Sequence, residues 1–424
     1  MKKTERVVVT GMSTVNPLGQ DIDEFWSACK VGTSGVKKVE KFEIPENMSQ
    51  MAGIIDQIDL SSLEIPLEEI KQYDRSLLLA LKATNDALKN SGLEFDNRLA
   101  LKNSRWAVFV ANAISHISNM EKSFCEQSNN GKLPLVPMKK GENKTNSFFF
   151  NTTNAEIAKY FGLSCEHMAM VTGCTGGVDA IGYAMQAIRK GQMDIVITGA
   201  TEAPITPLVV AAFSKIGATS KRNHEPSSAS RPFDIDRDGF VLAEGCGILI
   251  LESLDHALRR GAKIYAEISG MGSVNNCYHM TDIPEQGMPI ARACELAIND
   301  AGIGLERVDF INAHGSSTPQ NDVAESKAFN RMFGSKILSI PVTSIKSQVG
   351  HTLSAANSIE VISSIMSIRD NLIPPTINLN SKDEKCELDV VANEARTASV
   401  NCVLKTSSGF SGIHSSLVIE RWTN

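Results

Sequence analysis

The chain has 424 residues, 42% hydrophobic and 21% charged, with a formal net charge of −6 at pH 7. That length exceeds what one core usually spans, so two lobes are expected. The acidic balance and the lack of a basic run exclude a general nucleic-acid binder, and no apolar stretch approaches the length of a membrane span.

In chain order, Met1-Lys2-Lys3 leads directly into Arg6-Val7-Val8-Val9-Thr10 rather than into the apolar segment of a secretory signal, which points to the cytoplasm. Strand-like runs at 7–10, 195–198, 248–251, 308–311, 400–404 and 417–419 alternate with helical patterns, the signature of an α/β chain. The triplets Asn143-Lys144-Thr145 and Asn151-Thr152-Thr153 match a glycosylation sequon, which has no meaning in a cytosolic chain. A helix is predicted over 175–190, with Val178, Ile181, Met185 and Ile188 on one face and Gly191 as its stop.

A polar loop over 221–230 and a strand-to-helix handover near 252–262 divide the chain into halves, 1–255 and 256–424. Each half holds strands around one long helix, at 175–190 and 353–370, and each helix follows a loop of small residues. The correspondence is one of pattern, because residue identity between the halves is negligible.

Chemistry concentrates in those loops. Cys174 lies in Val171-Thr172-Gly173-Cys174-Thr175-Gly176-Gly177, between an apolar segment and the predicted helix. A helix N-terminus favours the thiolate, its unpaired N–H groups can hold a thioester oxygen as it becomes an oxyanion, and glycine permits close approach. A lone cysteine is more often a small buried hydrophobe, but the glycine-rich context reverses that expectation. The nine cysteines run from Cys29 to Cys402 without a C-x-x-C pair, which fits reduced thiols rather than disulfides or zinc.

His314 sits in Asn312-Ala313-His314-Gly315-Ser316-Ser317-Thr318-Pro319, and His351 in Lys346-Ser347-Gln348-Val349-Gly350-His351-Thr352. Their small neighbours leave room for a reactant. His116, His167, His224, His256, His279 and His414 lack such surroundings and are assigned no role. One thiol and two imidazoles suggest a carbon–carbon bond-forming site. The run Asp234-Ile235-Asp236-Arg237-Asp238-Gly239 begins like a calcium loop, but its twelfth position is Gly245, so it reads as a structural loop and no metal is expected.

Taken together, Val7-Val8-Val9-Thr10-Gly11-Met12 with Asn16-Pro17-Leu18-Gly19, the Cys174 loop, Arg231-Pro232-Phe233-Asp234 through Arg237-Asp238-Gly239-Phe240 to Glu244-Gly245, both histidine loops and Gly409-Phe410-Ser411-Gly412 carry a specific resemblance. Over nearly its whole length the chain resembles the β-ketoacyl-acyl carrier protein synthases of the thiolase superfamily. The resemblance implies a thiolase-like duplicated five-layer α-β-α-β-α fold, a dimer, and a decarboxylative Claisen condensation between an acyl thioester on cysteine and malonyl on an acyl carrier protein. It implies no permanently bound cofactor, since the carrier supplies the phosphopantetheine arm.

By the same resemblance Cys174 matches the acylated nucleophile, and His314 and His351 the pair that assists malonyl decarboxylation. Lys346 and Glu360 match a supporting ion pair, Glu325 a second supporting carboxylate, and Ser316 and Thr318 hydroxyls that hold phosphopantetheine. The oxyanion hole is expected from the backbone N–H groups of Cys174 and Phe410. The gating phenylalanine usual in fatty-acid enzymes is replaced by Ser408, and Thr172-Gly173-Cys174-Thr175 with Gln320-Asn321-Asp322 and Glu325 looks like the ketosynthase alpha subunits of type II polyketide synthases. Such a subunit implies a homologous chain-length-factor partner. The alternatives are a homodimeric fatty-acid-type synthase, a non-catalytic chain-length partner, which would lack Cys174, and a thiolase or plant-type polyketide synthase, which the paired histidine loops disfavour.

Overall fold

The computed structural model describes residues 5–93, 104–135 and 149–423. The triplet Asn143-Lys144-Thr145 and the first three residues lie outside the described residues. In chain order the strands of the main sheet are β1 (Val7–Val15), β2 (Trp106–Ala111), β3 (Glu166–Met170), β4 (Ile195–Glu202), β5 (Gly245–Ser253), β6 (Ala266–Asn275), β7 (Phe310–Asn312), β8 (Pro341–Thr343), β9 (Asp389–Val390), β10 (Cys402–Gly409) and β11 (Ile413–Glu420). Their spatial order is β9-β8-β7-β10-β11-β6-β1-β5-β4-β2-β3.

That order contains one plan twice. From β1 outward the first half runs β1-β5-β4-β2-β3, with two antiparallel pairings followed by two parallel ones. From β6 outward the second half runs β6-β11-β10-β7-β8-β9, again two antiparallel pairings and then parallel ones. In both halves the first strand lies beside the last, then come the penultimate, the second and the third. The halves meet where Val8 faces Glu267 and Val9 faces Ala266.

Five helices build the layers: α1 (Arg75–Asn90), α2 (Gly176–Arg189), α3 (Met288–Ala301), α4 (Pro319–Phe333) and α5 (Ser354–Asp370). α2 and α5 pack on each other between the two sheet halves, α1 covers β1, β5 and β4 from outside, and α3 covers β6 and β11 with α4 beside it. This is the expected α-β-α-β-α arrangement. The predicted face of α2, Val178, Ile181, Met185 and Ile188, is fully buried against Leu249, Ile359 and Val403 in one core cluster.

α5 has no solvent face from Ser354 through Ile368. Its serines are tolerated there because four of the hydroxyls return to the helix's own carbonyls, Ser358 to Ala355 at 3.0 Å, Ser363 and Ser364 to Glu360, both at 2.8 Å, and Ser367 to Ser363 at 3.0 Å, while Ser354 donates to Glu202. The seam between α2 and α5 depends on Gly177, where a Cβ would lie 2.7 Å from the Ser354 carbonyl oxygen.

Several strands differ from expectation. β2, β3, β6, β8 and β9 lie outside the strand-like runs read from the sequence, and the runs at 308–311 and 400–404 shift to β7 and β10. β3 is an edge strand with Glu166, His167 and Met168 exposed, so it lacks an inward-facing apolar pattern. All nine cysteines are unpaired. Among the described residues no helix is long and apolar enough to cross a membrane.

Candidate active site

The loop after β3 is braced from both halves. Gly173, at φ +59, turns the chain into the single 3-10 turn Gly173–Thr175, and α2 begins at Gly176. The Thr172 and Thr175 hydroxyls donate to one oxygen of Asp179 at 2.5 and 2.7 Å, while Ser415 on β11 donates to the other at 2.6 Å. Asn357 on α5 and Ser407 on β10, the latter at 3.2 Å, donate to the Cys174 carbonyl. The polar neighbours of Cys174 thus hold the loop instead of facing a reactant.

Two backbone N–H groups, those of Phe410 and Cys174 itself, donate toward the Cys174 sulfur. Even so, burial pushes the thiol up to about 12, with Lys346 pulling in the opposite direction. The expectation that the helix start would by itself favour the thiolate is therefore corrected, because loss of hydration outweighs the partial charge of one turn. Cys174 is half-buried and lines the pocket, and desolvation around its thiol decides the direction.

His314 follows β7 and His351 precedes α5, and their rings lie 5.4 Å apart at 80°. Phe240 packs edge-on to His351 at 5.1 Å. Burial first, and then the Lys346 ammonium, hold both imidazoles well below the usual histidine range, so both are neutral. Each Nδ1 is buried without a partner among the described residues, which leaves Nε2 as the nitrogen open to a reactant.

The loops carrying these rings are fixed from behind. Glu325 on α4 accepts the N–H groups of His314 at 2.7 Å and Gly315 at 2.8 Å, and the hydroxyl of Thr406. Lys346 donates to the His314 carbonyl at 2.8 Å and pairs with Glu360 at 2.5 Å. His351 donates its N–H to Val241 at 2.7 Å, and Leu353 just after it adopts φ +46, a strained conformation for leucine.

Lys405 escapes the sequence reading. It is fully buried on β10, with Nζ 2.8 Å from the second oxygen of Glu360 and donating to the Thr406 carbonyl. Burial lowers it to about 8, opposed by Glu360. Two ammonium groups and two carboxylates thus balance behind the histidines. The available signal was a lysine inside an otherwise uncharged strand run, where a charge survives only with a partner. Glu202 is a second omission: buried at the end of β4, it accepts Ser354 Oγ at 2.6 Å and Ala113 N–H at 2.8 Å, and burial pushes it up to about 7.

Cys174, His314, His351, Ser316, Thr318, Ser408 and Phe410 line one pocket of about 60 Å³, with Phe240 and Gln320. Lys346, Glu360 and Glu325 stand behind its wall. Ser316 and Thr318 hydroxyls lie 2.9 Å apart, and Thr318 also caps α4 through the Asn321 N–H. His414, assigned no role from sequence, is buried opposite Ser408, with Nδ1 3.0 Å from its hydroxyl. The Asp234 carboxylate accepts the N–H groups of Asp236, Asn380 and Ser381, and Arg237 pairs with Asp383 at 2.8 Å, so that loop is a structural brace.

The family "Beta-ketoacyl synthase, N-terminal domain" matches residues 4–257, and "Beta-ketoacyl synthase, C-terminal domain" matches residues 265–380. The chain is 38% identical over 418 residues to the tetracenomycin polyketide synthase ketoacyl synthase alpha subunit of Streptomyces glaucescens, covering 98% of this chain and 97% of that protein. It is 37% identical over 421 residues to 3-oxoacyl-[acyl-carrier-protein] synthase 2 of Coxiella burnetii, covering 98% of both. A type II polyketide ketosynthase solved in complex with its acyl carrier protein and bound to a hexaketide superposes with a TM-score of 0.92 at 40% identity, covering 99% of this chain and 100% of that one. The chain belongs to the β-ketoacyl synthase family of acyltransferase enzymes, with polyketide ketosynthase alpha subunits and fatty-acid-type synthases both among its relatives.

Proposed function

We propose that this chain is the condensing alpha subunit of a type II polyketide synthase. The observation that carries the reading is the meeting of the Cys174 sulfur, two backbone N–H donors and two neutral imidazoles in one pocket. In the first half-reaction Cys174 sulfur attacks the acyl thioester of the carrier. The new thioester forms as the carrier thiol leaves, and the Cys174 proton passes to that thiol. The N–H groups of Cys174 and Phe410 receive the oxygen while it bears charge.

In the second half-reaction the malonyl carbon–carboxylate bond breaks and carbon dioxide departs. The electron pair becomes an enolate, whose oxygen accepts hydrogen bonds from the Nε2–H groups of His314 and His351. The enolate carbon then attacks the acyl carbon on Cys174, and the sulfur leaves as a thiolate that takes up a proton from solvent to restore the thiol. Ser316 and Thr318 serve the phosphopantetheine arm, Lys346, Glu360 and Glu325 hold the histidine loops, and no permanently bound cofactor takes part.

Ser408 at the gate supports a chain bearing polar keto groups, which needs no apolar lid. The fatty-acid-type reading shares the same site and is favoured by the 37% identity to the Coxiella burnetii enzyme. A non-catalytic role is disfavoured by Cys174. The repeated strand plan supports 1–255 and 256–424 as the two halves of a duplicated unit. Incubation with malonyl-carrier and a chain-length partner tests the reading: poly-β-keto products are expected, and saturated-chain elongation alone would favour the fatty-acid reading.

A further inference from the structure

Ser408 and His414 face each other across the β10–β11 ladder, and a chain of hydrogen bonds fixes which way their protons point. It starts at a backbone group that can only donate: the Tyr278 N–H gives its proton to Asn276 Oδ1 at 3.0 Å. This settles the amide orientation, so Asn276 turns Nδ2 toward His414 Nε2 at 3.3 Å. An amide nitrogen can only donate, hence Nε2 is the acceptor and the proton of the neutral ring resides on Nδ1. Burial keeps that ring neutral, holding it down at about 4. Nδ1–H then donates to Ser408 Oγ at 3.0 Å.

Ser408 receives a hydrogen bond from behind and has its own proton left to give. Ser408 lines the pocket shared by Cys174, His314 and His351, two residues before the Phe410 N–H that faces the Cys174 sulfur. We propose that the Asn276–His414–Ser408 relay makes Ser408 a hydrogen-bond donor for a keto carbonyl near the thioester end of the acyl chain on Cys174, so that the site selects 3-oxoacyl over saturated chains. His414 and Asn276 are positioning residues, and Ser408 is the one that touches substrate. This inference rests on the ketosynthase reading above and deepens it by naming the substrate class at the gate.

The test loads Cys174 from carrier-bound 3-oxoacyl and saturated acyl thioesters of equal length. In the unaltered enzyme the 3-oxoacyl chain is expected to load faster by about fivefold, the worth of one neutral hydrogen bond. Ser408→Ala should bring the ratio of the two rates close to unity, and His414→Phe should lower it as well. His414→Asn, which can keep an N–H toward Ser408, should retain part of the preference, an effect that a merely structural role would not produce. Independently of any variant's folding, nitrogen-15 shifts of the histidines in the unaltered protein should show His414 as the Nδ1–H tautomer. The Nε2–H tautomer, or a rate ratio unchanged in Ser408→Ala, would overturn the inference while leaving the ketosynthase reading intact. Failure of the unaltered enzyme to load either thioester would instead overturn the ketosynthase reading and this inference with it.

Discussion

A thiol held up at about 12 changes what Cys174 should do in solution. Alkylation of Cys174 by iodoacetamide should keep accelerating with pH beyond the ordinary cysteine value of about 8.5, because the thiolate fraction continues to grow. A plateau near that ordinary value would show that burial does not govern the sulfur. Cys174→Ala should abolish acylation by an acyl-carrier donor, read by mapping the adduct by mass spectrometry. Full acylation of the variant would remove Cys174 from its role.

The histidines supply a second residue-scale prediction, with a definite sign. His314→Ala and His351→Ala should slow malonyl decarboxylation more than acyl transfer to Cys174, which timing the two half-reactions separately will show. Both rings are neutral because of burial and nearby cations, so activity should persist below the usual histidine range and fall only when the imidazoles protonate. Lys405→Met removes one of those cations and makes protonation easier. The acid limb of decarboxylation should therefore move to higher pH, by roughly one unit. An unmoved limb with a loss of rate at every pH would make Lys405 a packing residue only.

At the scale of elements, the site depends on how closely α2 and α5 approach. Gly177→Val places side-chain atoms where a Cβ alone would already lie 2.7 Å from the Ser354 carbonyl. Overpacking of this kind typically costs ~1–3 kcal/mol, so the melting temperature should fall, together with Cys174 acylation, as the two helix starts separate. An unchanged melting temperature would show that the seam adjusts freely. At the end of β10, Ser408→Phe puts a ring into a pocket of about 60 Å³ and should shorten products or stall the acyl-enzyme. Products of unchanged length and rate would place the gate elsewhere.

In the molecule as a whole the sheet ends in two edge strands, β9 and β3. Among the described residues β3 has no strand on its outer side, and Met168 within it and Val171 just beyond it are exposed. An exposed edge carrying apolar side chains is ordinarily covered, and a second related subunit would cover it. Expressed with a homologous chain that lacks the nucleophile, this protein should run as a heterodimer and form polyketide, as measured by mass in solution and product analysis. A stable homodimer that makes full-length product unaided would sink the heterodimer reading and restore the fatty-acid one.

What the sequence determined by itself is local. Small-residue loops around Cys174, His314 and His351 mark places where a backbone turns tightly and a reactant can approach, and those signals survive without knowledge of neighbours. The helical period of Val178, Ile181, Met185 and Ile188 likewise reports one buried face. Tertiary structure decided everything that depends on burial and distant partners. Lys405 has no partner legible in sequence until β10 is enclosed beside Glu360, and His414 reads as idle until β11 sets it against Ser408 and Asn276. The ionisation of Cys174 even reverses its local expectation, because hydration lost to the surrounding core outweighs a helix start. Such effects arise from charge and solvent in three dimensions, which the order of residues along a chain does not record.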